Sequence, residues 1–373
     1  MIWYVPIEPL EERYTASWYK NIPLYFLDKG AEVWTIDGQT LTDSVKVGTF
    51  LDINSTVHYK CSQMQEIAKL FSDGKIKNGD IFFFGDAEFW GLEAVRLMSQ
   101  MNKVAVKIFA FLHAGSYTNE DAFAMAASYQ QYTELGWIAA CDKVFVGSQY
   151  HATAFYQRRM LPLGNSASYL YYRLKVTGNP LFESDYPLTK TRISKNKQLI
   201  ISNRFDYEKR PNLSLDFAHI LKRRHPDLRI VVTTSRPTFR SNRDWLVEYA
   251  RQLEKDGIIE IYSGLSKYSY HRHLAESKVM LSNSIEENFG YCLVEACLHG
   301  TIPIVPNDFS HPEILGGHKF CLFDSEDEIV AKVETILADK TPIPPHASTL
   351  MNSLRWCGEK YFGSMDSIWK NMQ

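Results

Sequence analysis

The chain reads as an α/β protein built from two doubly wound parallel-sheet domains. Three observations predict this. Short apolar runs such as Asp80–Phe84 (DIFFF) and Val104–Leu112 (VAVKIFAFL) alternate with segments of helical length. That alternation gives a parallel sheet covered on both faces. A second alternating series begins near Gln198, after a stretch from Leu161 to Leu188 with three prolines, two glycines and no period, which reads as a linker. The length of 373 residues, 45% hydrophobic and 23% charged, suits two ordinary domains.

In the first half, Ile2–Val5 reads as a strand and Glu12–Lys29 as a helix stopped by Gly30. Ala31–Ile36 is a strand closed by an Asp37-Gly38 turn, and Ser62–Ser72 a helix. A helix from about Glu88 to Met101 joins the DIFFF and VAVKIFAFL strands. Glu120–Ala140 (helix), Lys143–Val146 (strand) and Gln149–Arg159 (helix) complete this half. In the second half, strands are expected at Gln198–Ser202, Arg229–Thr234 and Ile258–Tyr262, with helices at Pro211–Arg224, Arg243–Lys255, Ser266–Ala275 and Glu326–Ala338. Ser348–Asn371 is a closing helical run.

Composition narrows the class. With 21 Tyr, 21 Phe and 8 Trp the chain can build cores and is not a disordered sequence. No apolar run reaches the ~18 residues of a membrane span, and the N-terminus lacks the basic region and cleavage site of a signal peptide. The six scattered cysteines read as reduced thiols, so a cytoplasmic location is expected, without disulfides or zinc. Net charge is −2 but uneven: residues 190–243 hold 14 Lys/Arg against 4 Asp/Glu, and residues 244–373 hold 11 against 19. A basic block of this kind is either a solvated face or the footprint of a polyanion.

The most informative stretch is Glu287-Asn-Phe-Gly-Tyr-Cys-Leu-Val-Glu295. It places two carboxylates in an E-x7-E spacing, with Gly290 at the start of an apolar helical run. Lys278–Ser282 (KVMLS) before it and Thr301–Pro306 (TIPIVP) after it read as buried strands. The motif therefore lies on a strand–loop–helix–strand unit, where helix N-termini offer amides to phosphate. Asn288, Phe289 and Gly290 would supply those amides. Carboxylates beside a diphosphate repel it, so Glu287 and Glu295 are expected to accept sugar hydroxyls. A structural helix start with incidental acids is the alternative.

The full string ENFGxxLVEA followed by GTIPIV resembles the donor site of retaining glycosyltransferases of the GT-B fold, the family-four type. The resemblance covers nearly all of the second half and the first half by architecture. It implies two Rossmann-like domains facing across a cleft, with the last helix crossing back to the N-terminal domain. Residues 1–165 with about 355–373 would bind the acceptor, and residues 185–350 a nucleotide-sugar donor. Glu287 would hold the transferred sugar and Glu295 the ribose. Arg204 and Lys209, in SNRFDYEK after a strand, match the cation pair that clamps the diphosphate and meets the charge of the leaving group. Gly264 matches the glycine before the nucleobase loop, where a side chain would keep backbone off a flat ring. His113, ending a first-domain strand, matches a histidine that contacts the transferred sugar. The implied catalytic set is His113, Glu287, Arg204 and Lys209. No metal or resident cofactor is expected, and uridine diphosphate is the expected nucleotide.

The chain also departs from that family. Glu8-Pro-Leu-Glu-Glu-Arg-Tyr stands where a Gly-Gly turn is usual, so Glu12, Arg13 and Tyr14 would face the acceptor, with Asp86 and His113. Asp86 also reads as a helix N-cap, and Ser148 as the cap of the next helix. Arg158, Arg159, Arg173 and Lys175 add to the basic block, and first-half aromatics offer stacking surfaces. The chain is similar to phage glycosyltransferases that modify 5-hydroxymethylcytosine in DNA, with arabinosyl and glucosyl types among them. Its ENFG and His-Pro-Glu-Ile motifs are also similar to the transferase that mannosylates queuosine in tRNA. The expected acceptor is thus a hydroxyl on a modified base, first in phage DNA within the host cytoplasm. Synthesis of polysaccharide or small glycosides, and a non-enzymatic nucleotide-binding module, are the alternatives.

Overall fold

A computed structural model describes all residues except 11–12, 42–51, 119–122, 192, 235, 237 and 339–346. The chain divides into two units, Met1–Phe182 with Gly363–Gln373, and Glu183–Phe362.

The first unit holds one six-stranded sheet: β1 Ile2–Val5, β2 Val33–Thr35, β3 Ile81–Phe84, β4 Lys107–Leu112, β5 Lys143–Val146 and β6 Leu174–Val176. Its order is β2-β1-β3-β4-β5-β6, and every pair is parallel. The run KIFAFL shows why it is continuously apolar: Ile108, Ala110 and Leu112 enter one core layer, while Phe109 and Phe111 enter the other. Both faces of the sheet are covered, so alternate residues are all buried. The helix Ser364–Met372 packs Met365, Ile368 and Met372 into the same layer as Trp18, Ile22 and Phe26 of the helix Tyr14–Asp28.

The second unit holds β7 Asn196–Ile201, β8 Arg229–Thr233, β9 Glu260–Tyr262, β10 Ser277–Leu281, β11 Ile302–Pro306 and β12 Leu322–Phe323, all parallel, in the order β12-β11-β10-β7-β8-β9. In each sheet the winding reverses once, between β1 and β3 in the first unit and between β7 and β10 in the second. Ligands of such sheets bind at the carboxyl ends of the strands beside that reversal.

Several boundaries differ from expectation. The units divide at Phe182, within the segment read as a linker, but that segment also contains β6, a three-residue strand too short to show a period. The closing helical run breaks at residues 360–363. Only its last part joins the first unit, while Ala347–Glu359 belongs to the second. The helix expected from Ser62 starts at Ile53. The helix Ala127–Ala140 is preceded by a 3-10 turn, Ala124–Ala126, and the rest of its expected start lies outside the described residues. Of the cysteines, Cys61 is exposed and the other five are buried or half-buried; all six are free.

Helix Tyr291–Leu298, which carries Glu295, packs against helix Ala347–Glu359. The contact is close at Gly358, where a Cβ would lie 2.9 Å from Leu298 Cγ and 3.1 Å from the Val294 carbonyl oxygen. Gly358→Val is expected to cost about 1–3 kcal/mol in urea unfolding, because the backbone oxygen cannot yield as a side chain can. An unchanged midpoint would show that the two helices separate freely.

Candidate active site

In the second unit the loops after β7 and β10 flank the reversal point and are tied together. Ile285 N donates to the Glu208 carbonyl at 3.0 Å, and Asn203 Nδ2 to Ser282 Oγ at 2.6 Å. The β7 loop turns through a 3-10 segment, Tyr207–Lys209, into Arg210 at φ +44° and then Pro211, the first residue of the helix Pro211–Arg224. Proline at that first position needs no amide partner and has the right φ. This path brings Lys209 Nζ to 2.8 Å from Glu287 Oε2 and 3.2 Å from the Glu286 carbonyl oxygen. Arg204 is directed to Glu208, at 2.7 Å, and more distantly to Asp206, at 3.7 Å.

Gly290 begins the helix Tyr291–Leu298 at φ +78°, a conformation that favours glycine, and a Cβ there would lie 3.2 Å from Glu287 Cγ. The glycine at the N-cap has no side chain of its own with which to close the first amides of the helix. Those amides belong to Tyr291, Cys292 and Leu293, one turn later than the Asn288–Gly290 set read from the sequence. Phe289 is buried and stacks edge-on against Tyr291 and Tyr361, which anchors the loop. Burial alone would push the Glu287 carboxyl up. The charge and hydrogen bond of Lys209, with Arg204 nearby, outweigh this and hold it below the ordinary value.

Glu295, one turn into the helix Tyr291–Leu298, has a different environment. Tyr270 Oη donates to its Oε2 at 2.9 Å and Tyr186 Oη to its Oε1 at 3.4 Å. Burial pushes its carboxyl up to about 7, against the Tyr270 bond, the Lys267 charge and the Tyr186 bond, with Asp185 adding to the rise. Gly264 follows β9 at φ +65°, and its amide donates to the Arg236 carbonyl at 2.7 Å. His311 of the His-Pro-Glu-Ile motif is buried, and its Nδ1 donates to the Pro306 carbonyl at 3.1 Å. Burial holds this imidazole neutral, its pKa lowered to about 4.

The first unit has its own polar cluster at the carboxyl ends of β1, β3 and β4. His113 Nε2 lies 2.8 Å from the Gly85 carbonyl, which can only accept, so Nε2 carries the proton. Nδ1 then accepts from Tyr14 Oη at 3.1 Å. Burial among Tyr14, Trp18 and Phe111 lowers the His113 pKa and keeps the ring neutral. Both ring nitrogens thus have protein partners, which suits a fixed hydrogen-bonding group better than a proton acceptor. Arg13 stands at the N-cap of the Tyr14 helix, and Glu12 lies outside the described residues.

Asp86 is not a helix cap, since the following helix starts at Leu92 after Gly91. It accepts from the Glu88 amide at 3.0 Å and pairs with the buried Lys60 at 2.7 Å. Lys60 also donates to the Glu88 carbonyl. Ser148 does cap its helix, accepting from the His151 amide at 3.0 Å. Glu8, which sequence reasoning missed, is buried and accepts from Ser55 at 2.7 Å and Thr56 at 3.3 Å. The signal for this cluster was a buried-side periodicity of polar residues, Thr56, Lys60 and Gln63, leading into Ile67 and Phe71.

Part of the basic block is paired inside the second unit. Lys197 pairs with Asp227, Arg204 with Glu208, Lys209 with Glu287, Arg210 with Glu326, Arg224 with Glu334 and Arg229 with Glu260. In the first unit, Arg159 pairs with buried Glu134, while Arg158 and Arg173 donate to the carbonyls of Tyr117 and Cys141. Acids from outside the block, Glu260, Glu287, Glu326 and Glu334, therefore offset part of the local sequence excess. Among the described residues, no helix is long and apolar enough to cross a membrane.

Residues 188–350 match the family model for glycosyl transferases group 1. No curated protein matches the chain. Among solved structures, it resembles sucrose-phosphate synthase from Thermosynechococcus elongatus, at 13% identity and TM-score 0.67, over 99% of this chain and 98% of that one. The trehalose-6-phosphate synthase OtsA is similar at 11% identity and TM-score 0.64, over 100% and 98%. The pneumococcal O-GlcNAc transferase GtfA, solved with UDP and GlcNAc, is similar at 14% identity and TM-score 0.55, over 84% of this chain. The chain spans 60% of GtfA's length and 61% of the chain matched in the GtfA/B complex. These likenesses show the two-domain α/β fold of GT-B type read from the sequence. The matched residues 188–350 make up most of the second unit, so the likeness to glycosyl transferases group 1 lies in the unit that carries Lys209, Glu287 and Glu295.

Proposed function

We propose that this chain is a retaining glycosyltransferase that takes its sugar from a UDP-sugar. The observation that carries this reading is the arrangement around Gly290. A helix start with glycine at its N-cap lies between two carboxylates of unlike environment, with Lys209 bridging to the first. In this reading the amides of the helix start and Lys209 meet the diphosphate. Two of the three ammonium hydrogens of Lys209 go to Glu286 and Glu287, and the third is left for a phosphate oxygen. Glu287, held ionised, accepts hydroxyls of the transferred sugar, and Glu295 those of the ribose. Gly264 leaves room for the base. Arg204 offsets charge on the leaving group, and the departing phosphate oxygen takes the acceptor proton on the face it leaves. The protein orients and stabilises charge, and no covalent nucleophile is required.

The acceptor is assigned to the first unit, with Tyr14, Asp86 and His113 at its polar edge and Arg13 at the N-cap of the Tyr14 helix; Glu12, outside the described residues, is assigned the same role. A hydroxyl on a modified base, 5-hydroxymethylcytosine in DNA first, is the acceptor we propose. Its support is the resemblance of the motifs and the exposed tyrosines of the first unit, including the stacked pair Tyr169 and Tyr172. The internal pairing of the basic block weakens the electrostatic part of that argument. A second reading, transfer to a small glycoside or sugar phosphate, is favoured by the buried Glu8 and the Lys60–Asp86 pair, groups suited to sugar hydroxyls.

Mass spectrometry after incubation with a panel of UDP-sugars separates the two readings. Hydroxymethylcytosine DNA gaining one pentose or hexose is the expected result. Unchanged DNA, with transfer to a small acceptor that is insensitive to added salt, would replace the first reading by the second. No UDP release from any donor would overturn both.

A further inference from the structure

The geometry points to Tyr270 and Tyr186 as positioning residues that present both oxygens of Glu295 to a vicinal diol, so that the site selects ribonucleotides over deoxyribonucleotides. This rests on the reading of Glu295 as the ribose contact and goes beyond it by naming what holds the carboxylate and what that arrangement excludes.

A carboxylate oxygen has two acceptor directions. Tyr270 occupies one on Oε2 and Tyr186 one on Oε1. One direction per oxygen remains, a matched pair spaced for two neighbouring hydroxyls. The two phenols come from different elements, so the carboxylate is gripped from two sides. Tyr270 lies on the helix Lys267–Glu276, whose start is capped by Ser266 accepting from the Ser269 amide at 3.2 Å. Tyr186 precedes the 3-10 turn Pro187–Lys190, and its own carbonyl accepts from Thr189 Oγ1 at 2.8 Å.

Neither ring is at liberty to swing. Tyr186 is buried and packs against His271 at 5.0 Å and Phe362 at 5.8 Å. Tyr270 meets the same His271 edge-on at 5.3 Å. His271 is fixed in turn by a 2.9 Å hydrogen bond between its Nδ1 and His299 Nε2. Both tyrosines therefore stand on one buried imidazole pair, and Glu295 stands on both tyrosines.

The titratable groups around the carboxyl are Asp185 and Tyr186, Lys267 and Tyr270, and Cys292 on its own helix; Tyr291 faces Tyr186. The largest influence on Glu295 is burial, which opposes ionisation, and the Tyr270 bond is the largest that favours it. The ionised form is the one that accepts two hydroxyls. Nucleotide affinity is therefore expected to rise with pH through about 7, and loss of a tyrosine hydroxyl to move that rise to higher pH.

The test is calorimetric binding of UDP and 2′-deoxy-UDP to the whole chain and to Tyr270→Phe, Tyr186→Phe and Glu295→Gln. A pH series with a UDP-sugar accompanies it, since an esterified diphosphate lacks the terminal ionisation near about 6 that would confuse free UDP. The unaltered chain is expected to prefer UDP by about tenfold or more, because 2′-deoxy-UDP leaves a buried acceptor unpaired. Tyr270→Phe is expected to weaken UDP about tenfold while changing 2′-deoxy-UDP little, so that the preference falls toward one and the pH midpoint rises. Tyr186→Phe should act in the same direction but less, its bond being longer. An equal loss for both nucleotides with an unmoved pH midpoint would reduce the tyrosines to ordinary packing and overturn the proposal. If Glu295→Gln bound UDP as well as the parent did, the ribose reading of Glu295 would itself have failed, and the proposal with it.

Discussion

Lys209→Ala is expected to lower donor turnover, measured as kcat/KM for UDP release, by about a hundredfold to a thousandfold. Two losses combine in it. The ammonium that would meet charge on the departing diphosphate disappears, and Glu287 loses the partner that keeps it ionised at 2.8 Å. Only interactions stronger in the transition state raise kcat, so kcat should fall more than UDP affinity does. Arg204→Ala should cost less. Its guanidinium is 37% exposed and already engaged by Glu208, so its charge is more diluted by solvent. If Lys209→Ala kept full kcat and lost only affinity, Lys209 would be a ground-state binding residue and the leaving-group role would belong elsewhere.

Lys60→Met is expected to have the largest effect on stability, about 3–5 kcal/mol in urea unfolding of the first unit. The Lys60 side chain is 4% exposed and that of Asp86 13%, so removing the cation leaves a nearly dry carboxylate without its counter-charge. The double variant Lys60→Met with Asp86→Asn should recover part of the loss, because the amide needs no counter-ion. A single variant as stable as the parent would mean that solvent reaches the pair. The cluster at the carboxyl edge of the first sheet would then be a looser structure than its hydrogen bonds imply.

These two sites were legible to different degrees. The strands DIFFF and VAVKIFAFL could be read at once because a sheet covered on both faces buries every residue in turn, and few other folded arrangements produce such short, unbroken apolar runs. Arg204, Lys209, Glu287 and Glu295 were proposed from motif resemblance, and a strand–turn–helix pattern put them at the carboxyl ends of strands, although their pairing was not visible. That Lys209 meets Glu287 depends on Ile285 hydrogen bonding to Glu208 across two loops, which no local pattern records.

The first turns of the helix Ile53–Ser72 were missed because its buried face begins with Ser55, Thr56, Tyr59, Lys60 and Gln63. Those residues are inside because Glu8, Asp37, Asp86 and the backbone at Pro6 and Ile36 satisfy them, and hydropathy cannot anticipate partners so far along the chain. Tyr186 was hidden for a related reason, lying in a segment whose prolines and glycines read as a connection. Counting charge along the sequence also could not show that acids from later segments close on part of the basic block.

In the proposed reading the second unit holds a nucleoside diphosphate sugar at the ends of β7 and β10, with Lys209 and the start of helix Tyr291–Leu298 on the diphosphate. A crystal structure with a UDP-sugar bound tests it most directly. The account predicts phosphate oxygens within hydrogen-bonding distance of Lys209 Nζ and the helix amides, sugar hydroxyls on Glu287, and both ribose hydroxyls on Glu295. A well-ordered nucleotide bound elsewhere, with Glu287 and Glu295 touching none of it, would contradict it.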